Sequence, residues 1–415
     1  MPMRDTDRED IRVRSKHLAL RVTVFVLAVL IAVGAFAYGI TGLGRKKPGY
    51  YRVEATEDEE LLRLNGRINF QYLFSGSNAE IGAELRQLQA LYGASLRRCS
   101  RLLDPSSTYV GVINPAELNA NLGRDISLSD ELFETLTDAY AKTQERQGYN
   151  LFAGPLYAEW NSILILENPE PFDPIRNTDE AARIARLSEL VNDLDNFTFE
   201  IVDAEKHTVR FDVSEEVLSC MREFEMECPI LDLNLLHDAY LLRLIARDLE
   251  KQGYANGFLA AASGVTLSLS GHSGGEYSLI GFDGKFRETA AAFPLDAGSA
   301  CSLRLAFAPE EGSYGYYVSE TEDGILFRHP NVPATGEYPG VLLSCAVRCA
   351  DGEPVRAAYE SLRLFSCTDQ ADAETCAAGF PDAAAWTLQG KGERVFSNPA
   401  AESILSDGDY GWTLE

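Results

Sequence analysis

Residues 231–253 read LDLNLLHDAYLLRLIARDLEKQG, and the parsing of the rest of the chain follows from them. A helix is expected from about Leu235 to Gln252. Gly253 is placed as its stop, because glycine enters the left-handed conformation of a helix C-terminus at no steric cost. Asp232 stands where it either caps this helix or holds a ligand. Towards the N-terminus, Asp179–Leu194 reads as a helix. Ser129 caps another that runs to about Arg146, with Asp130 and Glu131 in its first turn. Ala79–Leu103 has helical periodicity through Ile81, Leu85, Leu88, Leu91, Leu96 and Leu102. Phe197–Asp203 and His207–Val213 alternate apolar and polar residues around Ala204-Glu205-Lys206, a hairpin signal. Beyond Gly253 the pattern switches to strands: Phe258–Ala262, Val265–Ser270, Tyr277–Phe282, Ser302–Ala308, Gly315–Ser319, Ile325–Arg328 and Leu342–Arg348. Arg356–Phe365 is a further helix. Helices grouped early and strands grouped late predict an α+β fold, helices packed on antiparallel sheets, and not βαβ alternation.

The 415 residues carry Lys+Arg 37 against Asp+Glu 63, a formal net charge of −26, with 46% hydrophobic residues. The apolar fraction suffices for one large or two ordinary cores. The negative charge excludes nucleic acid as a partner, since nothing would offset phosphate repulsion. It equally opposes docking of the globular part on an anionic lipid surface.

No charged side chain occurs from Val22 to Leu43. As a helix this run would be roughly 33 Å long, enough to span a bilayer core. Arg4, Arg8, Arg12, Arg14, Lys16 and Arg21 precede it, and Arg45-Lys46-Lys47 follow. The basic excess places residues 1–21 in the cytoplasm, 22–43 in the membrane and the remainder outside. Ala35-Phe36-Ala37 has the small-residue pattern of a signal-peptidase site, but the apolar run continues past it, so a retained anchor is expected. No cysteine follows the run that would accept a lipid. Residues 44–60 are read as a linker or N-terminal edge, 61–395 as the extracytoplasmic domain and 396–415 as a tail.

All eight cysteines lie beyond the anchor, and their even number makes disulfides an expectation. Cys220/Cys228 and Cys367/Cys376 are near enough in sequence to close small loops. Cys345 and Cys349 share one face of a strand. Paired C-x-x-C spacings with histidine are absent, so no metal site is expected from them. His17, His207, His237, His272 and His329 are scattered, and no H-E-x-x-H, G-x-S-x-G or phosphate loop occurs. Gly271-His272-Ser273-Gly274-Gly275 is better explained as a hairpin turn than as an anion cradle.

Three segments, in order, carry more. Gly148-Tyr149-Asn150-Leu151-Phe152-Ala153-Gly154-Pro155-Leu156 with Trp160 resembles the G-x-F-D-x-T-V-G-P-L…W segment of FAD:protein FMN transferases, the ApbE-type flavin transferases. Leu231-Asp232-Leu233-Asn234-Leu235-Leu236-His237-Asp238-Ala239-Tyr240 resembles their D-L-G-G-I-A-K-G-Y. A helix, a strand and a reduced glycine signal, Ala262-Ser263-Gly264, follow as in the family. His329-Pro330-Asn331-Val332-Pro333-Ala334-Thr335-Gly336 resembles H-x-x-D-P-x-T-G, and Leu102-Leu103-Asp104-Pro105 through Tyr109 resembles the early L-D…Y segment. The resemblance spans roughly residues 60–395. It implies an ApbE-like flavin-transferase fold and a cofactor site at Asp232, Tyr240, Ser263, Gly264, His329 and Gly336.

The departures bear on activity. By the resemblance, active members hold magnesium and the FAD pyrophosphate and move FMN onto a threonine of a target protein. The Asp and Thr of A-D-A-x-x-T, which would bind the metal, align with Tyr359 and Arg363, and an arginine cannot coordinate magnesium. Asp238 replaces the lysine of A-K-G-Y. Asn150 and Phe152 replace the Asp and Thr of F-D-x-T, and Glu310-Glu311-Gly312 stands where T-S-G is expected. No catalytic residue and no metal ligand is therefore assigned. FAD and magnesium are expected only if activity is retained, with Asp351, Glu353 and Glu360 as a relocated metal site in that case. Three functions stand: a degenerate homologue binding a ligand or scaffolding an extracytoplasmic protein partner, an active FMN transferase, or an unrelated interaction domain.

Overall fold

A computed structural model describes residues 47–55, 59–272, 274–282, 287–310, 313, 315–322, 324–330, 336, 342–380, 384–390, 394–397 and 411–414. The apolar run 22–43 and its flank 1–21 lie outside these, as do Asn331–Thr335. Among the described residues no helix is long and apolar enough to cross a membrane. The backbone divides into two units. In the smaller, Ser77 N–H donates to Glu80 Oε2 at 2.7 Å and Ile81 N–H to the Ser77 carbonyl at 2.8 Å, which satisfies the free donors at a helix start.

In the larger unit β1 (Gly49–Val53) leads through α1 (Glu59–Arg67) to β2 (Ile68–Phe74). The long helix α2 (Asn78–Leu103) is followed by α3 (Pro115–Ala120), β3 (Asp125–Ser127), α4 (Asp130–Gln144), α5 (Gly154–Leu164) and α6 (Thr178–Asn192). The hairpin β4 (Phe197–Asp203) and β5 (Thr208–Val213) precedes α7 (Glu215–Glu223) and α8 (His237–Lys251). Strands then dominate: β6 (Gly257–Ala261), β7 (Val265–Ser268), β8 (Glu276–Phe282), β9 (Arg287–Pro294), β10 (Ala300–Leu305), β11 (Tyr317–Thr321), β12 (Gly324–Arg328) and β13 (Leu342–Cys349). Last come α9 (Pro354–Phe365), α10 (Gln370–Ala378), β14 (Ala384–Gly390), β15 (Arg394–Ser397) and β16 (Gly411–Leu414).

Nine strands form one sheet in the order β1-β2-β6-β7-β10-β13-β14-β15-β16, antiparallel throughout except β15 with β16. The hairpins β8–β9 and β11–β12 and the sheet β3-β5-β4 stand apart from it. Helix α9 packs on β10 and β13 and α8 on β6 and β7, so the two helices cover the sheet. Ala358, Leu362, Leu364 and Phe365 are buried there. The expected α+β class is thus observed, and every helix and strand read from the sequence in the described region has a counterpart. The stretch expected as a linker or N-terminal edge holds β1, which among the described residues pairs with β2 alone at the end of the sheet. In β2, Ile68, Phe70, Tyr72 and Phe74 are buried at a spacing of two, the period of a half-buried strand. β15 crosses the boundary expected at 395, and β16 lies in the expected tail.

None of the eight cysteines is in a disulfide. The loop expected to be closed by Cys220 and Cys228 is closed by backbone instead: Phe224 N–H donates to the Cys220 carbonyl and Met226 N–H to that of Met221, both at 2.9 Å. Burial pushes the Cys99 and Cys345 thiols up to about 12, so these two pack as apolar side chains.

One polar cluster ties the loop before α6 to the β11–β12 hairpin. Asp173 is fully buried and accepts from Arg328 Nε and Nη2, both at 2.9 Å, and from the Tyr317 hydroxyl at 2.6 Å. The Arg328 guanidinium lies 5.0 Å from the Trp160 ring centroid on α5, and Trp160 Nε1 donates to the Gly336 carbonyl at 2.7 Å. Burial opposes the Asp173 charge, but Arg328 and Tyr317 outweigh it and hold the carboxyl below its usual value. Its contribution to stability is therefore present above the unfolded carboxylate pKa near 4 and is lost as pH falls through the lower folded value. Asp173→Ala strands Arg328 and should cost about 3–5 kcal/mol in urea unfolding at pH 7. The difference from wild type should shrink below pH about 4, and an undiminished difference there would count against the ion pair as its source.

Candidate functional site

A cavity of about 740 Å3 opens where the rim of the main sheet meets the first turn of α8 and the start of α5. Backbone hydrogen bonds lay down the rim. Ala262 N–H donates to the Arg67 carbonyl at 2.9 Å, Gly264 N–H to Ala261 at 3.0 Å, and Leu303 N–H to Gly264 at 2.9 Å. The chain from β2 across the β6–β7 turn to β10 is thus continuous, and Arg67, Ala262, Ser263, Gly264 and Leu303 all face the cavity. Gly264 has φ +90°, and a Cβ there would stand 2.2 Å from the Leu303 carbonyl oxygen. Glycine is demanded by this backbone approach, whatever the cavity holds.

A second crossing builds the opposite side. Asp232 N–H donates to the Leu151 carbonyl at 2.9 Å and Gly154 N–H to that of Ile230 at 3.3 Å. A Cβ on Gly154 would lie 2.1 Å from the Pro229 carbonyl, which accounts for Gly154-Pro155 at the start of α5. Asn119 holds the second of these segments to the loop at Pro105 through its side chain, accepting from Leu231 N–H at 2.9 Å and donating to the Leu231 carbonyl at 2.9 Å and the Pro105 carbonyl at 3.1 Å. Asn234, φ +47°, takes the left-handed conformation of a position where the resemblance has glycine. Asparagine tolerates it best among other residues, and Asn234 Nδ2 donates to the carbonyl of Asp232, two residues back, at 2.7 Å.

The polar wall is small. Asp238, with 6% of its side chain exposed, sits in the first turn of α8 and pairs with Arg67 Nη2 at 2.8 Å. His237 Nδ1 lies 3.2 Å from both partners, so its tautomer decides whether it accepts from Arg67 or donates to Asp238. Burial alone would raise Asp238, but the His237 contact and the Arg67 charge outweigh it and bring the carboxyl down to about 2. Asp232 is shifted the other way: burial raises it, only partly opposed by Asn234 N–H at 2.9 Å and by the charges of His237 and Arg67. The other walls carry Ile280, Leu303, Leu305, Pro309, Pro330, Tyr316 and Tyr157. Tyr157 is 7% exposed, and its hydroxyl oxygen is buried with no hydrogen-bond partner among the described residues.

Of the residues expected at the site, Asp232, Ser263 and Gly264 line the cavity. Tyr240, His329 and Gly336 are not among its described lining residues. Tyr240 is fully buried and its hydroxyl donates to Asp138 Oδ2 at 2.9 Å. His329 is 1% exposed, with ring centroids of Tyr316 and Phe365 at 6.2 and 5.3 Å. Burial and the charges of Arg328 and Arg304 depress its imidazole to about 3, so it is neutral at physiological pH. Gly336, φ +86°, accepts from Trp160. Asn150 and Asp104 are likewise structural: Asn150 Nδ2 donates to the Val191 carbonyl at 2.6 Å, and Asp104 accepts from Ser106 N–H and the Tyr109 hydroxyl. Arg67 and Tyr157 escape a reading by motif, since neither falls on a family motif position.

The positions that the resemblance assigns to magnesium do not suit it. The Tyr359 hydroxyl donates to Glu145 Oε2 at 2.7 Å, and Arg363 is paired with Glu360, neither lining the cavity. The substitute carboxylates are also engaged, Asp351 by Arg356 and Glu353 by the N–H of Val355 and by Arg243. Among the described residues no group of three or more His, Cys, Asp or Glu side chains is placed to hold a metal ion. Magnesium needs several hard oxygen donors around one point, and this donor set lacks them.

Flavin transferase ApbE from Vibrio cholerae superposes with a TM-score of 0.57 at 12% identity, covering 86% of this chain and 100% of that one. The ApbE protein from Thermotoga maritima gives 0.55 at 15% identity, with 83% and 96% covered. Apo flavinyl transferase ApbE from Pseudomonas stutzeri gives 0.50 at 14% identity, with 86% and 97% covered. No protein-family model and no curated protein matches the sequence. At these identities the likeness establishes the fold: the chain has the ApbE-like flavin-transferase fold.

Because Arg67 is the charge that meets Asp238, Arg67→Met should raise the Asp238 carboxyl well above about 2, read by carboxyl NMR titration. An unmoved titration would show that His237 and the α8 terminus suffice.

Proposed function

We propose that this protein is a ligand-binding or scaffold homologue of the flavin transferases that does not carry out magnesium-dependent FMN transfer. The observation behind this reading is the split between a cleft that persists and a donor set that does not. Asp232, Ser263 and Gly264 still wall a cavity of about 740 Å3, within the size range of small-molecule sites. Tyr359 and Arg363 are bound to Glu145 and Glu360 away from it. Transfer of a phosphoryl-linked group depends on electrostatic stabilisation of the leaving phosphate, by metal ions above all. Here the Arg67 guanidinium is already paired with Asp238.

The globular part acts outside the cytoplasm, held by the run Val22–Leu43, and any protein partner meets it there. The supports are the uncharged run and the basic excess before it. Protease added to intact expressing cells should digest the globular part. Its protection until the cells are lysed would remove this placement.

The functional test is incubation of the full chain with FAD, magnesium and a threonine-bearing target peptide, followed by mass analysis for added FMN. No FMN adduct is expected. Tyr359→Asp with Arg363→Thr should also remain inactive, because these positions lie off the cavity wall. Adduct formation by the wild type, dependent on magnesium, would establish an active transferase with relocated ligands and end the present proposal.

A further inference from the structure

Cys367 and Cys376 meet at the junction of α9 and α10. Helix α9 ends at Phe365, and Cys367 N–H donates to the Leu364 carbonyl at 3.2 Å, so Cys367 lies just past the helix end. Asp369 then caps α10. Asp372 N–H donates to Asp369 Oδ1 at 2.8 Å, and Thr368 N–H donates to Asp372 Oδ2 at 3.0 Å. This reciprocal capping turns the chain sharply and sets α10 against α9. The final turn of α10 brings Cys376 back to Cys367, and the two thiols share a hydrogen bond. Cys367 is 6% exposed and Cys376 is half-buried.

The two sulfurs are unequal. The Cys367 thiol has two acceptors in reach, the Cys376 sulfur and the Arg363 carbonyl at 3.3 Å. Its hydrogen bond to Cys376 raises the Cys367 thiol, and burial adds to this. The same bond lowers the Cys376 thiol, and the Arg363 charge supports it against the opposing effect of burial. Arg363 is held beside the pair by Glu360 and by the Phe380 ring, whose centroid lies 5.7 Å from the guanidinium carbon. Burial raises the other six thiols. Thiol–disulfide exchange asks for thiolate character and access in the attacking cysteine, and for a second thiol in contact. Cys345 is a third sulfur nearby, but it is fully buried and its thiol donates to the Ser361 carbonyl at 3.4 Å.

We infer that Cys367 and Cys376 are a redox-active dithiol: Cys376 is the attacking thiol, Cys367 the resolving one, and the disulfide they form staples α10 to the end of α9. The oxidant is a small-molecule disulfide. The Cys376 thiolate attacks one of its sulfurs, the S–S bond breaks, and one small thiol leaves. Cys367 then attacks the Cys376 sulfur of the mixed disulfide and expels the second small thiol. The protons of the two protein thiols end on the two released thiols. The protein pair loses two electrons, and the small disulfide gains them. Because α9 lies on β10 and β13, the staple ties α10 to the helix that backs these strands. The inference is independent of what the cleft binds.

The test uses the full chain, reduced, freed of reductant and incubated with oxidised glutathione, then alkylated with iodoacetamide and digested with trypsin. Cys367 and Cys376 fall in one tryptic peptide, residues 364–391. That peptide should lose two hydrogens and take no alkyl group, and dithiothreitol should restore both thiols. In the reduced protein Cys376 should be alkylated at least about tenfold faster than Cys99 or Cys345. Cys367→Ser should trap glutathione on Cys376 as a lasting mixed disulfide, and Cys376→Ser should leave Cys367 free of glutathione over the same time. Oxidation should raise the wild-type melting temperature by about 3 °C or more. The wild-type peptide mass and alkylation rates stand even if a serine variant fails to fold. A peptide that keeps both thiols, glutathione remaining on wild-type Cys376, or a bond from Cys376 to Cys345 overturns the dithiol. Glutathione captured on Cys367 ahead of Cys376 overturns the assignment of roles, and an unmoved melting temperature overturns the staple.

Discussion

The approach of the Gly264 backbone to the Leu303 carbonyl is the constraint on which the cleft depends. With no Cβ and a positive φ, Gly264 lets the β6–β7 turn lie against β10, and its carbonyl takes both the Leu303 N–H and the Tyr277 hydroxyl, the latter at 2.6 Å. The Arg67 carbonyl is fixed to the same turn through Ala262. A side chain at 264 would push the turn off β10 and break the row of hydrogen bonds that holds the sheet rim together. That row ties the Arg67 backbone to the turn, and the Arg67 guanidinium reaches Asp238 beside it.

The relation of Arg67 to Asp238 changes what the replacement at 238 means. A carboxylate in place of a lysine suggests a repulsive point charge in the cleft. In the fold the carboxylate is buried, ion-paired with Arg67 and held at about 2, so it is ionised at physiological pH. Burying a charge this deeply costs several kcal/mol unless a partner and hydrogen bonds meet it. The local charge has been rearranged across two elements, from one residue of α8 to a pair formed by α8 and the end of α1.

A second set of contacts shows how glycine and histidine motifs can persist for packing. His329 and Gly336 match the family pattern in sequence, yet His329 sits between Tyr316 and Phe365, and the Gly336 carbonyl receives Trp160. Asp173 and Arg328 lock the neighbouring hairpin to the same helix. These residues fix the loop at the cleft edge, and only Pro330 among the described residues of that motif touches the cavity.

The sequence alone determined the α+β class, a helix from about Leu235 to Gln252 (observed as His237–Lys251) with Gly253 after it, the Ser129 cap and the order of strands beyond Gly257. All of these are local: periodicity, capping and turn chemistry act within a few residues. Of the six residues that the ordered motifs single out, Asp232, Ser263 and Gly264 line one cavity. The edge strand β1 was hidden, because a strand bonded on one side and half exposed lacks a strong apolar pattern. Tertiary structure alone decided that Arg67 meets Asp238, 171 positions away, that Tyr240 and His329 turn from the cavity, and that the Tyr157 hydroxyl is left without a partner among the described residues. Side-chain direction and charge compensation depend on which distant backbones the sheet brings within hydrogen-bond reach, and no periodicity in the chain encodes that.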